Sequence, residues 1–305
     1  MEPSDKRRSL GPAPYPQLDG RRAQIQVFSK ATDAIQQGAF RRGANMGIMR
    51  IDHPDIYTFI TFKDDRTRLT NYNISVAVTD KFLECLKDDP TTVHAVQNPR
   101  SGEWSSLCKE GMEGECWTVG ELWDMIIDHA HSSGEPGIVF IDRINQTNPI
   151  KNVGVIEATN PCGEQPLHAW DSCNLGSINL SRFVVELDGT PTIDYDHLRD
   201  VVRIATRFLD NVIDANAYSV DKIEEMTRST RKIGLGVMGF ADMLARLRIP
   251  YDSEEGLELG RKLMRFVMDE SDAMSEELAE ERGVFPAFEG SLYDAPGRPK
   301  MRNEE

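Results

Sequence analysis

The stretch Ala158–Leu180 reads ATNPCGEQPLHAWDSCNLGSINL. It sets an amide, a thiol and a carboxylate, Asn160, Cys162 and Glu164, at every second position, with Pro161 and Gly163 between them. In an extended segment, side chains two apart share a face. That predicts three groups around one small ligand, neighbours roughly 6–7 Å apart. Pro161 stiffens the approach and Gly163 leaves room for a substrate to come close. The amide can bind a hydroxyl, the carboxylate can take a proton, and the thiol can act as nucleophile or hydrogen-atom donor. A loop with one unreactive cysteine has the same spacing, and spacing alone does not decide between the two. A second cysteine, Cys173, follows eleven residues later.

The elements that must position these residues are legible around them. Phe28, Ala31 and Ile35 fall on one face of a helix predicted over 23–37, stopped by Gly38. RRGANMGIMRI leads into a strand, and NYNISVAV (Asn71–Val78) is a second, with Asp80 expected to cap the helix after it. Residues 88–117 read as irregular. Thr118 and Glu121 make a capping box ahead of Leu122, Met125, Ile126 and Ala130, and Gly134 closes that helix. GIVFI (Gly137–Ile141) and VGVIEA (Val153–Ala158) are both short buried-strand candidates. Tyr195–Ala215 carries a wide apolar stripe including Leu198, Val202, Phe208, Leu209 and Ile213. Another helix runs from about Ser253 to Arg282, with Gly283 as its stop. Strands alternating with helices predict an α/β fold with parallel pairing.

Bulk composition bounds the function. The 305 residues carry 35 basic and 50 acidic side chains, a net charge of −15. Such a surface repels phosphate backbones and anionic lipid, so no nucleic-acid or membrane partner is expected. No apolar run approaches the roughly 20 residues of a membrane span, and the N-terminus lacks a secretory h-region. Five cysteines, an odd count, fit a reducing, cytoplasmic setting. Residues 1–22 read as a loose tail, and 23–305 as the structured part of the chain.

NPCGEQPL followed by CNLGSINL resembles the large, catalytic chain of ribonucleotide reductase. QGAFRRGANMGIMRIDHPDIYTFI, NYNISVAV, GEPGIVFIDRIN and RKIGLGVMGFADML extend the resemblance, in the family's order, from about Ala23 to Asn303. Pro161 and Gly163 around the cysteine make the match more similar to the adenosylcobalamin-dependent class II enzymes than to the diiron-dependent class I enzymes. The resemblance implies part of a ten-stranded α/β barrel whose finger loop carries the catalytic cysteine. It implies that Cys162 becomes a thiyl radical and removes the ribose 3′ hydrogen, that Glu164 is the base on the 3′ hydroxyl, and that Asn160 holds the sugar hydroxyls. Asn160, Pro161, Cys162, Gly163 and Glu164 would line the ribonucleotide substrate, di- or triphosphate. Cys173 matches one of two thiols that supply electrons and become a disulfide, recharged by an external reductant such as thioredoxin. Arg41 and Arg42 resemble the first effector-specificity loop, and Lys63–Asn71, with Lys63 and Arg68, the second, for a deoxynucleoside triphosphate. The 23–37 helix resembles the one that pairs across a homodimer.

The departures carry expectations too. The family's upstream redox cysteine has no counterpart before Arg41, and its phosphate-cradling segment falls beyond Glu305. The chain is therefore expected to be a central portion, inactive by itself. The alternatives are a class I large subunit, a non-catalytic nucleotide-binding remnant, or one half of a split enzyme. Gly234, Gly236 and Gly239 spell G-x-G-x-x-G, but the polar MTRSTRK before them is not a strand, so they read as close helix packing rather than a dinucleotide site. Cys108 and Cys116 are too far apart in sequence for a usual zinc pair, and no metal site is expected. Cys85 reads as a core residue, and Glu276–Glu281 as a solvated helix face.

Overall fold

A computed structural model of the chain describes residues 18–35, 42–65, 67–112 and 114–294. It divides into two compact units, 1–148 with 155–169, and 149–154 with 170–305.

The first unit opens with α1 (Leu18–Ala34), which starts inside the expected tail. Then come β1 (Asn45–Arg50), the short α2 (Ile56–Ile60) and β2 (Tyr72–Val78). β2 takes α3 (Asp80–Asp88) directly behind it. Its cap is Thr79, not Asp80: the Thr79 hydroxyl accepts from the Phe82 amide, which leaves Asp80 inside the first turn. The segment expected to be irregular holds β3 (Ala95–Gln97) and β4 (Trp104–Ser106), paired antiparallel, with further bridges at Val93–Thr118 and Cys108–Cys116. α4 (Val119–Ser133) has the predicted capping box, and Gly134 ends it in the left-handed region. β5 (Gly137–Phe140) and α5 (Ile141–Gln146) follow.

The sheet order is β1-β2-β5, all parallel. β2 is central, and all but Asn73 of its seven residues are buried, as expected of a strand covered on both faces. Ile51, Ile56, Ile60, Ile74, Val76, Leu122 and Ile126 pack around it, and Cys85 sits against that core. The strand expected at Gly137–Ile141 is β5, but it lies at the sheet edge and Ile138 and Phe140 are exposed rather than buried. Residues 153–157, expected to begin a second such strand, form none. Pairing begins only at β6 (Ala158–Thr159), which makes a hairpin with β7 (Pro166–Leu167).

The second unit pairs β8 (Asn174–Asn179) in parallel with β11 (Ile233–Met238). Between them lie the hairpin β9 (Val184–Leu187) and β10 (Thr190–Ile193), then α6 (Tyr195–Ala215) and α7 (Asp221–Thr230). α8 (Phe240–Leu247) and α9 (Glu254–Arg282) complete it. Leu198 and Val202 of α6 meet Leu263 and Val267 of α9 over Ile178, while Phe208, counted into the stripe, is exposed. Glu277 and Glu281 are not merely solvated: they pair with Arg203 and Arg207 of α6. Gly234 and Gly236 lie within β11 rather than after it, which rules out the strand–loop–helix order of a dinucleotide turn. They pack against a strand, not a helix: the carbonyl of Gly176 on β8 would sit 3.7 Å from a Cβ at Gly236. The described strands form sheets of three and two strands, without a closed barrel.

Candidate functional site

The six residues 160–165 join β6 to β7. They are not extended. The Gly163 amide donates to the Asn160 carbonyl at 3.0 Å, which closes a β-turn with Pro161 and Cys162 at its corners. Pro161 supplies the fixed φ of the first corner, and Gly163 takes φ +85°, a value open to glycine at little cost. The alternation that was to place Asn160, Cys162 and Glu164 on one face is therefore absent, because a turn has no period of two. What the turn does instead is raise Cys162 at its corner, where the residue is exposed.

Asn160 works as the brace of this turn. Its backbone N–H donates to the Gln165 carbonyl at 3.2 Å, and its side-chain Oδ1 accepts from the Gln165 amide at 2.9 Å. The donor half of the amide, Nδ2, is not used in the turn. The Thr159 hydroxyl donates to the Asn160 carbonyl at 3.0 Å. A second amide, Asn73 on β2, donates from Nδ2 to the Pro161 carbonyl at 2.5 Å and ties the turn to the central strand. Asn73 is the residue of β2 that escapes burial, and its departure from the apolar pattern is the sequence signal that would have found it. Glu164 is exposed beyond the turn. Gln165 Nε2 is buried without a hydrogen-bond partner among the described residues. A buried orphan donor of this kind calls for a ligand or water.

Cys173 belongs to the second unit, at the entry to β8, half-buried, with its thiol 3.5 Å from the Asn174 carbonyl. Its neighbours are fixed. The fully buried Asp171 carboxylate accepts from Lys232 Nζ at 2.5 Å and from the Thr230 hydroxyl at 2.8 Å. Asn174 Nδ2 donates to the Leu209 carbonyl at 3.0 Å, while its Oδ1 is buried without a partner among the described residues.

The effector-loop candidates separate. Arg41 lies outside the described residues, and Arg42 is exposed. The Lys63 ammonium is committed inside the first unit: it pairs with Glu135 and donates to the Tyr72 carbonyl, with only 13% of its side chain exposed. Arg68 lines a cavity of about 240 Å³ with Thr67, Leu69 and Thr70, closed on its other side by Gln26, Ser29, Lys30 and Asp33 of α1. Asn71 holds these walls together, donating to the Ser29 carbonyl and to Asp33, both at 2.7 Å, and accepting from the Ser29 hydroxyl at 2.8 Å. On α1, Val27 and Phe28 are exposed, and so is Ile35 just beyond its end.

Comparison with known proteins places the chain in a family. Residues 18–300 match the family described as ribonucleotide reductase, barrel domain. The vitamin B12-dependent ribonucleoside-diphosphate reductase of Thermoplasma acidophilum is 54% identical over 280 residues, 92% of this chain and 34% of that protein. Its counterpart in Mycobacterium tuberculosis is 44% identical over 274 residues, 90% of this chain and 37% of that protein. The alpha subunit of the Actinobacillus ureae class Id ribonucleotide reductase shares the fold, with a TM-score of 0.65 at 21% identity over 87% of this chain and 46% of that one. The chain thus spans about a third of the length of the two B12-dependent relatives. A match across most of the chain, on an α/β framework that presents Cys162 at a braced turn, establishes that this chain belongs to the ribonucleotide reductase family, within its barrel domain.

Proposed function

We propose that this chain carries the thiyl-radical centre of a ribonucleoside-diphosphate reductase of the vitamin B12-dependent type. The observation that carries the reading is the Cys162 thiol, exposed at the corner of a turn that Asn160 and Asn73 hold rigid. A hydrogen-atom donor must reach a substrate carbon at a fixed distance, and a side chain on a braced turn loses little freedom in doing so. Cys162 takes the 3′ hydrogen of the ribose and returns it after reduction. Glu164 accepts the proton of the 3′ hydroxyl, which helps the 2′ hydroxyl depart as water. Asn160 keeps Nδ2 to donate to a sugar hydroxyl. Cys173 and a second thiol supply two electrons and two protons and become a disulfide, which thioredoxin or a similar dithiol reopens.

Adenosylcobalamin, when bound, supplies the one-electron oxidation that leaves Cys162 short of a hydrogen atom. The feature of this chain that suits it is the open thiol; we assign no residue to holding the group. A radical needs shielding from water and oxidants, and the exposure of Cys162 means that its cover comes from the remaining length of the enzyme. The partial barrel is completed there as well. Identities of 54% and 44% with B12-dependent enzymes, against 30% with the mimivirus reductase large subunit, favour this type over class I. The cavity beside Arg68 is the effector site of this reading, and the exposed Val27 and Phe28 of α1, with Ile35 just after it, are its homodimer surface. A nucleotide-binding remnant would use the same cavity without needing Cys162.

The test is Cys162→Ser in the assembled enzyme. Deoxyribonucleotide formation is lost, while nucleotide affinity stays within about twofold, since a hydroxyl has a similar shape but holds its hydrogen too tightly to exchange it. Turnover near the parent rate removes Cys162 from the mechanism.

A further inference from the structure

Cys108 and Cys116, too widely spaced for an ordinary zinc pair, are brought face to face by the fold. They form an antiparallel bridge in a hairpin. The flanking bonds, Lys109 N–H to the Glu115 carbonyl and Trp117 N–H to the Leu107 carbonyl, are both 2.8 Å long. The cysteines between them therefore occupy a non-hydrogen-bonded pair, where the Cα atoms lie about 4.5 Å apart and side chains approach most closely. A disulfide accepts that separation. The two sulfurs are 2.9 Å apart. The hairpin base holds them there: Trp117 stacks on Tyr57 with ring centroids 5.1 Å apart, and Lys109 bonds Glu121 at 2.7 Å while lying over the Trp117 ring. Both cysteines are half-buried, and the tip beyond them, Glu110 to Met112, is exposed, so a small reagent has access. Among the described residues no group of three or more metal-ligating side chains forms.

We propose that Cys108 and Cys116 are a reversible redox pair that closes into a cross-strand disulfide by exchange with a low-molecular-weight disulfide. The Cys108 sulfur attacks one sulfur of the reagent, forming a mixed disulfide and releasing the first small thiol. The Cys116 sulfur then attacks Cys108, the mixed bond breaks, and the second small thiol leaves. The protein loses two hydrogens and two electrons, and the reagent gains both. The second step requires Cys116 to shed its proton. Burial, and then its bond to the Cys108 sulfur, push that thiol up to about 11. The charged groups around the pair, Lys109, Glu115 and Glu121, are engaged with one another. Closure therefore accelerates with rising pH.

The experiment is peptide mapping of the whole chain after treatment with oxidised glutathione, in a Cys162→Ser/Cys173→Ser background that leaves the proposed catalytic sulfurs out. It needs no turnover, so its outcome is separate from that of the reductase reading. Trypsin cleaves after Lys109, between the two cysteines, giving Ser101–Lys109 and Glu110–Arg143. The expected result is that these two peptides stay joined, minus two hydrogens, until a reductant is added, and that the rate of joining climbs from about pH 7 to about pH 10. Cys116→Ser should retain glutathione on Cys108 and give no joined peptides. If Cys108 and Cys116 both remain open to alkylation after oxidant, or keep one glutathione each, the pair is not a redox site. A pH-independent rate overturns the assignment of Cys116 as the attacking thiol.

Discussion

Gly239 is the sharpest test of how β11 meets β8. It takes φ +70°, and a Cβ built there would lie 2.2 Å from Asn179 Oδ1 and 3.2 Å from its Cγ. That oxygen is occupied: it accepts from the Ser181 amide at 3.2 Å and the Ser181 hydroxyl at 2.8 Å, capping the 3-10 turn Leu180–Phe183. In Gly239→Ala the Asn179 side chain has to leave. Two hydrogen bonds go, at about 1 kcal/mol each, and an L-residue held in the left-handed region costs roughly another 1–2 kcal/mol. The sum is about 3 kcal/mol, somewhat over a hundredfold in the folding equilibrium at about 1.4 kcal/mol per decade. Urea unfolding followed by circular dichroism should show the midpoint lowered by roughly 1–2 M at an unchanged slope. Gly189→Ala is the control in the same unit. Gly189 has φ +75° but nothing within 4 Å of a built Cβ, so only the backbone cost of roughly 1–2 kcal/mol applies. Equal losses in the two variants would refute the contact between Gly239 and Asn179, and with it the register of β8 on β11.

Two further outcomes follow from the first unit. Asn160→Ala removes the acceptor of the Gln165 amide, a bond of 2.9 Å, and hydrogen exchange at that amide should quicken roughly tenfold for a loss of about 1.4 kcal/mol, while β2 amides keep their protection; unchanged exchange at Gln165 would deny the brace. His94 is buried with Nε2 2.8 Å from the Ile51 carbonyl, and burial lowers its pKa from the ordinary 6.5. The unfolded chain takes up the proton first, so the contribution of His94 to stability is complete above pH 6.5 and drains away as pH falls through the lowered value. Thermal unfolding between about pH 7 and pH 5 should show this decline, and His94→Gln should flatten it; a slope that survives the substitution places the titrating group elsewhere.

Much of the scaffold was legible because local physics specified it. The stripe of Leu198, Val202, Leu209 and Ile213 set α6 to the residue, and the Thr118–Glu121 box and Gly134 bounded α4, since capping and periodicity act within a few residues. The Asp188-Gly189 turn of the β9–β10 hairpin is equally local, both residues at positive φ. The glycines of β11 were misread because a strand whose pattern is G-x-G takes its identity from the neighbour it approaches, here β8. The chemistry divides along the same line. Residue types by themselves raised Asn160, Cys162 and Glu164 as candidates, an amide, a thiol and a carboxylate within five residues. Their geometry belonged to the tertiary structure: a hydrogen bond from Gly163 to Asn160 turned an assumed strand into a turn, and Asn73, far away in sequence, anchored it. The pairing of Cys108 with Cys116 was decided the same way, since antiparallel register, not spacing along the chain, determines which sulfurs meet.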